Sequence, residues 1–264
     1  MCELACERPA NRNDLLVANR ARVVFAVLCW SRIFQATAFC LALLILSSAA
    51  TAQVGASVSL DSDYRFRARS LSNGNPVATV AISYDDRSGA YTGAAATMAL
   101  SGQKAGQLVS QSVYAGYARA ISSDVDFDLG VSVYRYTSAH SAGRRELFGE
   151  VYIGATAGDI AAYVRYSPAY YGRAGPVVYV NIATNSEIAE ATRFYTNAGL
   201  LIQASGAPTI GGRKMRYDLQ TGLAREFGRL TVKAEVAIGG PDDDYFRGVW
   251  RGRSSLTIGF QRRF

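Results

Sequence analysis

Cysteine is missing from everything after residue 40; the four in the chain are Cys2, Cys6, Cys29 and Cys40. That excludes a disulfide framework, a thiolate metal site and a cysteine nucleophile from the rest of the protein. Histidine is almost missing too. With His140 alone, multi-histidine metal centres are excluded, and at most one imidazole is available for catalysis. Charged residues make up 19% of the chain, below the roughly 25% of an average soluble domain. Long apolar runs are absent after residue 52. Nothing there approaches the ~18 consecutive apolar residues of a membrane helix, so a helical membrane protein is excluded.

What is present falls into two unlike parts. All 25 glycines and all 16 tyrosines of the 264 residues lie after residue 52. Before it come Arg8, Arg12, Arg20, Arg22 and Arg32, an apolar run from Phe34 to Leu46, and small residues ending Ala50-Thr51-Ala52. A basic stretch, an apolar stretch and an A-x-A site are the parts of a secretory signal peptide, with cleavage expected after Ala52. The alternative is an uncleaved anchor, but the run is shorter than the ~20 residues that span a bilayer. No cysteine stands near the cleavage site, which excludes a lipoprotein anchor. Residues 53–264 then form one domain of 212 residues, with 23 Lys and Arg against 18 Asp and Glu.

That domain reads as strands throughout. Twelve runs of period-2 alternation, rich in β-branched and aromatic residues, are broken by Gly, Asp, Ser and Asn turns. They cover 54–68, 76–85, 90–100, 109–121, 126–137, 146–157, 159–168, 176–184, 194–204, 214–226, 229–239 and 251–264. Only 185–193 has the composition of a short helix, which Ser186 would cap. Connections alternate in length. Those at 85–89, 122–125, 158 and 227–228 are short; those at 101–108, 138–145, 169–175, 205–213 and 240–250 are long. Tight turns at one end and long loops at the other are the layout of an outer-membrane barrel, an all-β, antiparallel, up-and-down fold.

The last run places Leu256, Ile258, Phe260 and Phe264 on one face, against Ser255, Thr257, Gly259, Gln261 and Arg263. Other runs alternate in the same way. A soluble β-sandwich would share this alternation. The aliphatic purity of one face and the charge, Gly and Tyr of the other favour the membrane. So does an expected interfacial girdle of Tyr64, Phe66, Tyr84, Tyr91, Tyr136, Phe148, Tyr166, Tyr170, Tyr171, Phe194, Tyr195 and Phe246. Lipid offers no hydrogen bonds, so such a sheet must close on itself. The expected inward face carries Asp61, Asp63, Arg65, Arg67, Asp128, Glu150, Arg165, Arg216, Asp218, Glu226, Lys233, Glu235 and Arg263. Seven acids and six bases can either pair across a narrow interior or line a polar pore. Phe264, with Leu256, Ile258 and Phe260 at alternate positions upstream, is similar to the C-terminal signal that barrel-assembly machinery reads. Arg262 departs from that pattern.

One stretch is more specific. Residues Leu60-Asp61-Ser62-Asp63-Tyr64-Arg65-Phe66-Arg67, then Ser70-Leu71-Ser72-Asn73-Gly74-Asn75-Pro76, resemble the start of the Gcw_chp family of uncharacterised proteobacterial outer-membrane proteins. That family's pattern is S-D-Y-R-F-R-G-x-S-x-S-x-G-x-P, and Ala68 stands here in place of its usual Gly. Glu150–Gly154 and Tyr166–Gly172 also look similar. The resemblance implies an outer-membrane barrel and no established activity, so no catalytic residue is carried over.

Chemistry on the residues themselves is thin. Ser138 and His140 have the two-apart spacing of an outer-membrane lipid hydrolase, but they sit in a loop-like tract with no residue to orient the histidine. Asp242-Asp243-Asp244 could hold a divalent cation, or be a solvated loop tip. Arg144, Arg145, Arg213, Arg225, Arg247, Arg251 and Arg253 suit anionic headgroups better than nucleic acid, which wants a basic stripe interleaved with stacking aromatics. No cofactor is expected. The expected partners are outer-membrane lipids, the assembly machinery and small solutes. The leading expectation is a porin-like, non-enzymatic barrel in the outer membrane. The alternatives are a structural or adhesive barrel with a plugged lumen, and the lipid hydrolase.

Overall fold

The computed structural model describes residues 53–102, 105–137, 145–170, 175–204, 214–240 and 254–264. Its strands are β1 (Gln53–Asp61), β2 (Arg65–Phe66), β3 (Arg69–Ser70), β4 (Val77–Asp85), β5 (Ala90–Ala99), β6 (Leu108–Ala120) and β7 (Val125–Thr137). They continue as β8 (Arg145–Ala157), β9 (Ile160–Ser167), β10 (Val177–Ala189), β11 (Thr192–Gln203), β12 (Met215–Phe227), β13 (Leu230–Gly240) and β14 (Ser254–Arg263). Twelve of them form one closed antiparallel barrel, with β1 hydrogen-bonded to β4 on one side and to β14 on the other. Closure leaves no free strand edge. The remaining two, β2 and β3, pair with each other as a separate hairpin.

Two segments differ from their expected form. The run 54–68 is a strand only as far as Asp61; Ser62 still bonds β14, donating from its amide to the Ile258 carbonyl at 2.9 Å. Beyond it the chain leaves the wall, and Arg67 and Ala68 take left-handed φ values of 52° and 59° that no strand accepts. The segment 185–193 is not a helix. β10 and β11 run on through it and turn at Glu190–Ala191, with Ala191 at φ 55°. Cross-strand pairing decides the matter: Ser186 faces Phe194, and Glu187 faces Arg193, in a ladder that a helix would forfeit. The connection between β10 and β11 is therefore a tight turn like the others at that end.

Alternation sorts the side chains into two surfaces. Outward on β1, β4, β7 and β14 are Val58, Leu60, Val80, Ile82, Leu129, Val131, Ile258 and Phe260, all exposed. Large apolar side chains remain exposed in this way on every barrel strand, an area far too great for a monomer in water. Of the expected girdle, Tyr84, Tyr166 and Phe194 do face outward. Tyr91, Tyr136, Phe148 and Tyr195 instead lie on the inward parity of their strands, and Tyr64, Phe66 and Tyr170 pack inside as well. Parity, not position near a strand end, decides which surface an aromatic serves. Tyr171 and Phe246 lie outside the described residues, as do 1–52, Ser138, His140 and Asp242–Asp244.

Inward tyrosines are seated on inward glycines of the neighbouring strand. Tyr152 lies over Gly130, Tyr163 over Gly154, Tyr179 over Gly199 and Tyr195 over Gly222; a Cβ at any of these glycines would overlap the ring. A glycine here makes room for a ring that lies flat along the wall and fills the interior without crossing it.

Candidate functional site

The site is the barrel interior, and its central feature is the connection 62–76. It comes from the end of β1 on the long-loop side and folds into the lumen. Asp63 knots it together. One carboxylate oxygen accepts from the Ser70 and Ser72 hydroxyls at 2.6 Å each and from the Gly74 amide at 3.2 Å. The other meets Arg65 Nε at 2.8 Å. Arg65 also donates to the Ala68 carbonyl at 2.6 Å, which closes the turn between β2 and β3.

The knot is fixed to the wall at several points. Tyr64 shares a 3.1 Å hydroxyl contact with Ser110 on β6. The Phe66 ring lies 5.3 Å from both Tyr134 and Tyr136 on β7, and 6.3 Å from Phe148 on β8. Arg67 reaches furthest. It donates to both carboxylate oxygens of Glu150 on β8, at 2.6 and 2.8 Å, and stands 3.8 Å above the Tyr179 ring and 5.3 Å from the Tyr170 ring. Ala68 and Leu71 are fully or almost fully buried. The segment is therefore a packed insert that spans the interior at the long-loop end. The void left beside it, between Arg67, Arg69, Arg216 and Asp218, is about 10 Å³, room for about one water.

Below the insert, each remaining charge of the expected inward set has a partner or a ring. Asp61 meets Lys233 at 2.8 Å across Gly259, which lies between them on β14. Asp128 accepts from Tyr91 at 2.5 Å and Tyr163 at 3.1 Å. Arg165 covers the Tyr152 and Tyr163 rings. Asp218 accepts from Tyr179 at 3.1 Å, and Glu235 from Gln220 at 3.1 Å. Glu226 and Arg263 stand 4.0 Å apart, in the open at the short-turn end. Arg216 lines the small void. Asp63, Arg65 and Arg67 thus act from the insert and not from a barrel strand. Sequence reasoning missed Arg69, 6% exposed, and the tyrosine hydroxyls that donate to Asp128 and Asp218. Arg69 lies just past the first run, so alternation did not reach it.

The wall is uneven. Gly55, Ser57, Ala81, Ser83 and Ala95 on β1, β4 and β5 are small, and a cavity of about 410 Å³ opens against them towards Arg263 and Gln261. The wall from β8 to β11 carries Tyr152, Tyr163, Tyr179 and Tyr195. Outside, Leu256, Ile258, Phe260 and Phe264 are exposed in one row.

The family model described as a bacterial protein of unknown function, Gcw_chp, matches residues 47–247. The chain belongs to the Gcw_chp family. In this member, the three stretches that resemble the family pattern converge: Arg67 from the first, Glu150 from the second and Tyr170 from the third are in contact. No curated protein matches the Gcw_chp chain in sequence. Among solved structures it is similar to the NanC porin, at 12% identity and a TM-score of 0.51, over 80% of this chain and 99% of that one. It is also matched to the KdgM porin, at 14% identity and a TM-score of 0.47, over 80% and 99%. The NanC likeness shows that the fold is that of a porin barrel.

Proposed function

We propose that this chain is a non-enzymatic outer-membrane barrel that passes small solutes by diffusion, with segment 62–76 as its constriction. The single observation that carries this is the combination of a closed barrel and an insert held across its mouth largely by charge. Arg67 and Glu150 anchor the insert from different elements, and a cavity of about 410 Å³ remains behind it. The outward apolar surface suits hydrocarbon. Residues 1–52 would direct export and be removed after Ala52. The row ending at Phe264 would serve the barrel-assembly machinery.

A second reading has support of its own. Phe66 is enclosed by Tyr134, Tyr136 and Phe148, and so dense an aromatic seat favours a permanent plug and a barrel that works through its loops.

Planar-bilayer conductance separates the two. Wild-type protein is compared with a variant in which residues 63–75 are replaced by a short Gly-Ser linker. A small steady wild-type current that grows in the variant supports the constricted pore. A silent wild type with a conducting variant supports the plug, and silence from both removes transport altogether.

A further inference from the structure

Every charged side chain that the described strand residues point outward is an arginine: Arg119 on β6, Arg135 on β7, Arg225 on β12 and Arg262 on β14. Outward acids are absent among the strand residues whose side chains are described. The interior, by contrast, mixes both signs in near balance. A one-signed outer surface cannot be explained by pairing within the barrel.

Two of these arginines share one patch. Arg225 faces Val232, which faces Phe260, and Arg262 lies two residues beyond Phe260 on the same strand. From strand spacing and rise, their Cα atoms are about 12 Å apart. Arg225 lies over the Phe227 ring at 5.4 Å and Arg262 over the Phe264 ring at 5.3 Å. Both guanidinium groups thus lean towards the short-turn end, each backed by an aromatic ring. Leu230 stands between them and faces both Phe227 and Arg262. Phe227, Leu230 and Phe264 are 56%, 40% and 62% exposed. On the mid-wall side of the cations Leu223 and Phe260 are also exposed, so the patch is an apolar floor with two cations at its rim.

We infer that Arg225 and Arg262 form a binding site for the phosphate of an anionic phospholipid, in the leaflet at the short-turn end of the barrel. The inference rests on the membrane-embedded reading above. The two guanidinium groups supply paired donors for a phosphate, with Phe227 and Phe264 beneath them, and Leu223, Val232 and Phe260, on the mid-wall side of the cations, supply the surface on which acyl chains lie. A soluble phosphate would use the cations and leave the floor uncovered, so charge and apolar area together select a lipid. The site also accounts for Arg262, the one residue that breaks the apolar row at the chain's end: it is a headgroup ligand placed where the hydrocarbon stops.

Native mass spectrometry of the mature protein, released from bilayer discs of mixed phosphatidylglycerol and phosphatidylcholine, tests this. Heat-modifiable gel migration first establishes that each sample is a closed barrel. The wild type should retain phosphatidylglycerol in preference to phosphatidylcholine. Arg225→Gln or Arg262→Gln should each cut that preference about fivefold, the factor expected of one interfacial cation, while Arg119→Gln on the far wall should leave it unchanged. Equal retention of the two lipids by a closed wild-type barrel overturns the inference and leaves the barrel reading intact, as does a preference that survives the double variant. Ready displacement of the lipid by millimolar inorganic phosphate would mean a bare anion site and overturns the lipid assignment. A polypeptide that shows no heat-modifiable form and stays dissolved without detergent overturns both.

Discussion

Arg67 and Glu150, 83 residues apart in sequence, form an ion pair inside the barrel in which one guanidinium nitrogen donates to both carboxylate oxygens, with side chains only 9% and 2% exposed. The pair fixes the position of segment 62–76 directly, because it joins the tip of an insert to the middle of a strand wall. The Arg67 guanidinium also stands 3.8 Å above the Tyr179 ring, which limits how it can turn. The insert is thereby held at one height across the lumen.

Breaking that pair should cost more than removing it whole. Arg67→Met leaves the Glu150 carboxylate buried without its partner, a loss of about 3–5 kcal/mol by the behaviour of other buried pairs. The double change Arg67→Met with Glu150→Leu should recover most of it. The temperature at which the folded gel band is lost, measured for the wild type, both single variants and the double, should be lowest in the singles. A double variant no better than Arg67→Met would show that the pair is not the anchor.

Much of this architecture was legible in the sequence, and the exceptions have physical causes. Ten of the twelve expected runs coincide closely with barrel strands, because a wall with lipid on one side forces strict alternation. The exceptions are 176–184, which stops five residues short of the end of β10, and the first run, where Arg65, Phe66 and Arg67 alternate as a strand would but serve an insert. Alternation is a local signal, whereas the partners of Arg67 lie on β8 and β10, and no local pattern announces them. The motif Asp63, Ser70, Ser72 and Gly74 was visible as a distinctive string; that it describes one carboxylate with three donors required the fold. For 185–193, helix-like composition lost to the ladder between β10 and β11. The aromatic girdle follows from nearness to strand ends, although counting by twos from Asp128 and Glu150 turns Tyr136 and Phe148 inward.

Ala68 should tolerate a smaller residue and not a branched one. It sits at φ 59° with no exposed surface, and a β-branched side chain is strongly disfavoured in that region. Ala68→Val should loosen the insert by about 1–3 kcal/mol, while Ala68→Gly, the residue usual in the resembling pattern, should leave it seated. Limited proteolysis within residues 62–76 would show the difference. Equal protection of the valine variant would mean that the turn is not constrained.

Gly154 should resist any side chain as long as Tyr163 lies over it. A Cβ there would overlap the Tyr163 ring and approach the Ala162 carbonyl to 2.9 Å, so Gly154→Val should cost about 1–3 kcal/mol through overpacking. Tyr163→Ala should relieve part of the cost when combined with it. Refolding yield into detergent, scored by the heat-modifiable band, is the measure. Additive losses in the double variant would argue against the ring as the cause.

The mature protein should begin at Gln53. Amino-terminal sequencing of the membrane-extracted form would find it, and Ala52→Leu, which spoils the small residue at the cleavage position, should leave a longer, unprocessed chain. A mature protein that still carries the apolar run 34–46 would instead support an anchor.

The insert should loosen in alkali. Burial, the larger cause in both, raises the phenols of Tyr64 and Tyr170 above their ordinary value of 10.0, although the Ser110 hydroxyl opposes this at Tyr64 and the Arg67 charge opposes it at Tyr170. A phenol raised in the folded state stabilises that state in full below the unfolded value and loses the contribution as pH climbs through the raised one. The insert is therefore indifferent to pH through the neutral range and weakens only above about pH 10. On the constricted-pore reading, single-channel current should stay flat from neutrality upward and then rise in that alkaline window, while the heat-modifiable band shows the barrel still closed. Tyr64→Phe with Tyr170→Phe removes the two ionisations without removing the rings, so the rise should move to higher pH or vanish. An unchanged rise in that double variant would place the titration elsewhere in the wall.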